Sequence, residues 1–103
     1  MARYARRQPT ILEGDVSRRF FAAVAALVDL GRLGSLSGFC DEHNLSAPRY
    51  RALRLAYGAA PKSGYDCPYN CVEVEALAAL VSNYPVSASW LLSGRGNMLT
   101  IRS

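Results

Sequence analysis

The chain has 103 residues, half of them hydrophobic, which is enough for one modest core and excludes larger architectures. Its twelve cationic residues, eleven Arg and one Lys, outnumber eight acids for a net charge of +4, a balance that fits an anionic partner and a merely soluble basic protein equally, so that position and not total charge decides. No stretch approaches the roughly 20 apolar residues of a membrane helix, and the odd count of three cysteines argues against a secreted disulfide scaffold.

Residues 1–16 read as a basic arm carrying Arg3, Arg6 and Arg7, with no helical apolar period and no apolar run of the kind that follows the charges of a secretion signal. A cytoplasmic location is expected. Such arms can reach into a minor groove, although a frayed terminus is the commoner fate. Asp15 or Ser17 offers a cap for a first helix running to about Arg32, with Phe20, Val24, Leu27 and Val28 as its buried stripe. Gly31 and Gly34 bracket its end, and Ser35 caps the next helix.

From Ser35 to Arg54 the apolar residues fall at Leu36, Phe39 and Cys40, at Leu45, and at Tyr50 and Leu53: two short helical faces with a break at Asn44. Asn tolerates the left-handed conformation that ends a helix, and Ser46 can cap the helix that follows. That helix carries Arg49, Arg51 and Arg54. No acid lies between Ser46 and Tyr57, so its solvent side is expected to be cationic. A helix bound for phosphates and the major groove has this build; the competing reading is a solvated basic face.

The segment from Tyr57 to Asn70 is dense in Gly, Pro, Ser and Asp and reads as a long loop with three tyrosines, Tyr57, Tyr65 and Tyr69. Asn70 with Glu73 resembles a capping box for a fourth helix, whose stripe is Val74, Leu77, Leu80, Val81 and Tyr84 and whose end is Pro85. Ser87 caps a short fifth helix holding Trp90, Leu91 and Leu92, stopped by Gly94 and Gly96.

The closing segment VSASWLLSGRGNML, from Val86 to Leu99, resembles the end of the repressor-type helix-turn-helix domains of bacteria and their phages. The likeness extends back through Ser35, Phe39, Cys40, Leu45, Ser46, Tyr50 and Leu53, which occupy the family's cap and core positions, with Asn44 at its usual turn glycine. It covers roughly residues 17–99 and leaves 100–103 as a tail. The resemblance implies an all-α, five-helix domain with a long loop before the fourth helix. It also implies sequence-specific binding of double-stranded DNA, transcriptional regulation, and a homodimer formed through the last helix.

The sequence departs from the family pattern at three places. Leu36 stands where the first motif helix usually has a polar residue, and Ala47 and Pro48 replace polar readers at the start of the recognition helix. Pro48 biases Ala47 away from helical angles, so this helix is expected to begin with Pro48 at its first position. Arg49 and Arg51 are then the base readers, Ala52 a thymine-methyl contact, and Arg54 with Arg18 or Arg19 the phosphate contacts. Trp90 is expected to plug the core and leave Leu91 or Leu92 outward as the dimer contact, with Met98 beside it. A monomer is the alternative.

Cys40-x-x-His43 and Cys67-x-x-x-Cys71 supply four residues of zinc-binding type. Cys40 falls at a core position, however, and the spacing between the pairs fits no zinc module, so neither a metal nor another cofactor is expected. One His, scattered carboxylates and no Gly-rich phosphate loop leave no catalytic constellation. The runner-up to DNA binding is an adaptor that uses the same helix pair, or the long loop, to hold another protein.

Overall fold

The computed structural model describes residues 9–100. Five α-helices form, α1 (Ile11–Asp29), α2 (Leu36–Glu42), α3 (Ala47–Tyr57), α4 (Val74–Asn83) and α5 (Ala88–Ser93), and the described residues contain no strand beyond one bridge between Val86 and Leu99. The fold is all-α, and among the described residues no helix is long and apolar enough to cross a membrane.

α1 starts earlier than its apolar stripe indicates, because the start is set by local polar chemistry. Thr10 accepts from the Glu13 N–H at 3.1 Å while Glu13 accepts from the Thr10 N–H at 2.9 Å, a reciprocal capping box. Residues 11–16, assigned to the arm by sequence, are therefore helical. Ser17 is not a cap: it is buried within α1, and its hydroxyl accepts from the Val72 N–H at 3.0 Å. Arg3, Arg6 and Arg7 lie outside the described residues.

α1 and α2 end in the same way. Arg32 N–H bonds Leu27 O across Gly31 (φ 74°), and Leu45 N–H bonds Cys40 O across Asn44 (φ 61°), so each helix closes in a left-handed turn with its last carbonyls satisfied. The short Asn44 turn folds α3 back onto α2. Serines cap three helices: Ser35, Ser46 and Ser87 accept from the N–H groups of Gly38, Arg49 and Trp90. In α3, Ala47 takes the first helical position and Pro48 the second, one residue earlier than expected. Pro48 costs no helical bond there, since the first four amides have no intrahelical partner.

Phe20 sits at the centre of the core, with Phe21, Phe39 and Tyr50 rings 5.0, 5.8 and 5.9 Å away, and Leu27, Leu53, Leu80 and Leu91 fill the rest. These contacts join α1 to α3 and α5, and α2 to α3. Two residues of the expected stripes lie outside it: Val28 is 38 % exposed and Val74 73 %. The segment beyond α5 turns back, with Ser87 N–H donating to Met98 O and Thr100 N–H to Pro85 O, both at 2.9 Å. Thr100, expected in the tail, is thus part of the domain.

Candidate nucleic-acid interface

At about 100° per residue, α3 buries Tyr50 and Leu53 and turns Pro48, Arg51, Arg54 and Leu55 outward. The helix is positioned by its core side. Tyr50 is fully buried against Phe20, and Leu53 joins the same cluster, so a rigid seat fixes where the opposite face points. Arg51 reaches toward α2, its Nη1 lying 3.5 Å from Ser37 Oγ, at the limit of a hydrogen bond. Arg54 lies against the groove between α1 and the start of α2, lined by Phe21, Ala25, Val28, Asp29, Ser35 and Leu36. Neither arginine is in an ion pair among the described residues.

The other sequence-selected residues take different places. Arg49 and Arg51 are separated by about 200° around α3, so Arg49 stands on the flank facing the loop. It is half-buried, with its guanidinium 4.5 Å from the Tyr69 ring centroid and Nη1 3.4 Å from Glu73 Oε2. The cationic face is therefore not free of acids in space, because Glu73 arrives from the start of α4. Ala47 and Ala52 are half-buried against the core, while Pro48 is exposed. Arg18 pairs with Asp15 at 2.6 Å and lies 6.0 Å from the Tyr57 ring centroid. Arg19 is tied to α5: its Nε donates to Leu91 O at 2.8 Å in a partly buried site.

Of the three candidate dimer contacts, Leu91 is 1 % exposed and belongs to the core. Leu92 stands outward and lines a groove of about 290 Å³ with Val74, Leu77, Ala78, Val81 and Ala88, while Met98 is half-buried against the core. Trp90 packs partly against the core as expected. The step from Leu91 to Leu92 turns from core to solvent because neighbouring helical positions point about 100° apart.

The zinc-type residues are not gathered. Cys40 is fully buried in α2, and burial pushes its thiol up from the ordinary range, which keeps it neutral. His43 packs on Phe39, ring centroids 4.7 Å apart, with Nε2 3.1 Å from the Tyr84 hydroxyl. Cys67 and Cys71 lie near Tyr57. Among the described residues, no three His, Cys, Asp or Glu side chains come close enough together to hold a metal ion.

Glu73 and Tyr69 are the residues that sequence reasoning missed. The expected capping box is absent: α4 starts at Val74 with Glu73 as its N-cap, and the Glu73 side chain makes no capping bond. Its Oε1 accepts from the Tyr50 hydroxyl at 2.9 Å instead. Burial is the first cause that drives the Tyr50 phenol well above its ordinary range, with the Glu73 carboxylate adding to it, so the phenol stays a donor. A carboxylate 24 positions from Arg49 in sequence carries no local spacing signal. The chain matches no protein-family model, no curated protein and no solved structure.

Proposed function

We propose that the chain binds double-stranded DNA sequence-specifically and regulates transcription in the manner of repressor-type helix-turn-helix proteins of bacteria and phages. The observation that carries this reading is the outward face of α3, where Arg51 and Arg54 stand exposed beside the start of α2 and neither pairs with a described carboxylate. Arg51, near the middle of that face, is the base reader, and Arg54 at its edge is a phosphate contact. Arg49 reads from the flank. The chain acts as a homodimer through Leu92 and Val74, because one helix contacting a few bases discriminates weakly and two half-sites multiply that discrimination.

The test is a salt titration of binding to duplexes enriched from a random pool. The slope of log affinity against log salt should be steep, near one unit per phosphate contact. Affinity that does not respond to salt rules DNA out as the partner.

A helix-turn-helix adaptor for another protein is the second reading. It is favoured by Ala47 and Pro48, which give the first two positions of α3 no side-chain donor for a base edge, and by exposed Leu55 beside Arg51. In that case no duplex is enriched from the pool.

A further inference from the structure

The loop between α3 and α4 doubles back along the helix it leaves. Lys62 N–H donates to Leu55 O at 2.8 Å, and the Tyr57 hydroxyl donates to Asn70 O at 2.6 Å. At Tyr69 the chain has returned to the first turn of α3, where its ring meets the Arg49 guanidinium. Glu73 follows and departs from a local rule. An N-cap side chain ordinarily serves the first free amides of its own helix. The Glu73 side chain makes no capping bond to α4, whose Ala76 and Leu77 N–H groups donate to the Glu73 carbonyl, and gives one carboxylate oxygen to Tyr50 and the other to Arg49, while its own N–H donates to the Tyr50 hydroxyl at 3.3 Å. Local rules are broken where another demand is stronger.

Two groups make that demand here, the buried Tyr50 hydroxyl and the Arg49 guanidinium. Tyr50 is fully buried, so the carboxylate is anchored to the core and transfers that rigidity outward to Arg49. The guanidinium carbon lies 4.5 Å from the Tyr69 ring centroid and Nη1 3.4 Å from Glu73 Oε2, yet Arg49 keeps about a third of its side-chain surface open at 36 %. A guanidinium has five N–H donors, so donors remain for a ligand. Its charge is partly offset by Glu73, which suits it to a neutral base edge better than to a phosphate. A guanidinium that already sits between a ring and a carboxylate before binding also loses less side-chain entropy on meeting that edge.

We propose that Tyr69 and Glu73 are positioning residues for Arg49, so that the DNA sequence preference is set jointly by α3 and the loop that returns to it. This rests on the duplex-binding reading above. The loop is thereby part of the recognition surface, and the Tyr50–Glu73–Arg49 chain links the core to a base edge.

The test uses the full chain and the duplex it selects from a random pool, with single-base variants of that duplex, read by fluorescence anisotropy. Arg49→Ala identifies the base pair that Arg49 reads. Tyr69→Leu and Glu73→Gln should each lower discrimination at that same base pair by about tenfold, as expected for loss of one well-placed fork. Tyr69→Phe, which keeps the ring, should retain it. Arg49→Ala combined with Glu73→Gln should discriminate no worse than Arg49→Ala, since both act through one contact. Melting temperatures of the two loop variants should stay near that of the parent. A uniform gain in affinity for every duplex on Glu73→Gln would overturn the proposal, because the carboxylate would then be holding Arg49 away from DNA. Unchanged discrimination with a lowered melting temperature would also overturn it, leaving a purely structural role. If the parent chain binds its duplex specifically and the loop variants match it, only this inference fails; if the parent binds no duplex, the DNA reading fails and takes it along.

Discussion

Arg51 and Leu53 are two residues apart on α3 and face opposite ways, so charge and core can be removed independently. Arg51→Ala should cost about 1–3 kcal/mol of specific binding and relax preference at one base position with the fold intact, whereas Arg54→Ala should weaken specific and nonspecific duplexes alike. Leu53→Ala should cost about 2–5 kcal/mol of stability by opening a cavity in a small core, and should affect binding only through unfolding. Circular dichroism melts beside anisotropy titrations separate these outcomes. The buried acids of the core set a pH limit as well. Burial raises the Cys40 thiol above its ordinary 9.0 and the Tyr50 phenol above its ordinary 10.0, and raises the Tyr57 and Tyr84 phenols too. The unfolded chain therefore releases these protons first, so the stability these groups contribute is lost as pH rises past the unfolded values. Urea midpoints should drop from about pH 9 upward, and Tyr50→Phe should make that drop shallower.

At the scale of the element, the angle between α2 and α3 depends on one residue in the left-handed region. Asn44 at φ 61° lets Leu45 N–H reach Cys40 O and aims Ser46 at the amides of α3. Asn44→Gly should be neutral or slightly stabilising, and Asn44→Val should cost about 1–2 kcal/mol, because a β-branched side chain is strained there. Thr10→Ala should cost about 1 kcal/mol by removing the α1 capping box. Chemical denaturation of the three variants checks both. α4 is the exception among the helix starts, since its N-cap carboxylate serves Tyr50 and Arg49 instead of its own amides.

For the whole molecule, the proposed function would place recognition and assembly on different surfaces, α3 with its loop for DNA and the α4–α5 groove for a second copy. An apolar groove holding exposed Leu92 and Val74 is a surface that association would cover. Leu92→Asp should weaken self-association at least about tenfold in sedimentation equilibrium, a charge in an apolar interface costing more than the 1.4 kcal/mol that a factor of ten represents. It should leave the melting temperature of the monomer in place. Leu91→Asp, one residue earlier, should instead unfold the chain, because Leu91 is core. Loss of dimer should also shorten the selected DNA site from two half-sites to one.

The sequence by itself determined what is local. Serine caps, the Asn44 and Gly94 turns, the apolar periods of Phe20, Leu27, Phe39, Tyr50 and Leu53, and the acid-free run of α3 all follow from interactions within a few positions of one another, and each is visible as spacing. The start of α1 was legible too, in Thr10 and Glu13, but the absence of an apolar stripe there hid it. Tertiary structure decided whatever depended on distant partners. It took Glu73 out of the capping role its position indicated and gave it to Tyr50 and Arg49. It turned Ser17 from a cap into a buried acceptor for Val72, and committed Arg19 to a carbonyl of α5. It also chose Leu92 over Leu91 as the outward leucine. For the polar side chains the physical reason is the same in each case: each goes to a partner that satisfies a buried group, and that partner, like the buried side of α5, is known only when the helices have packed.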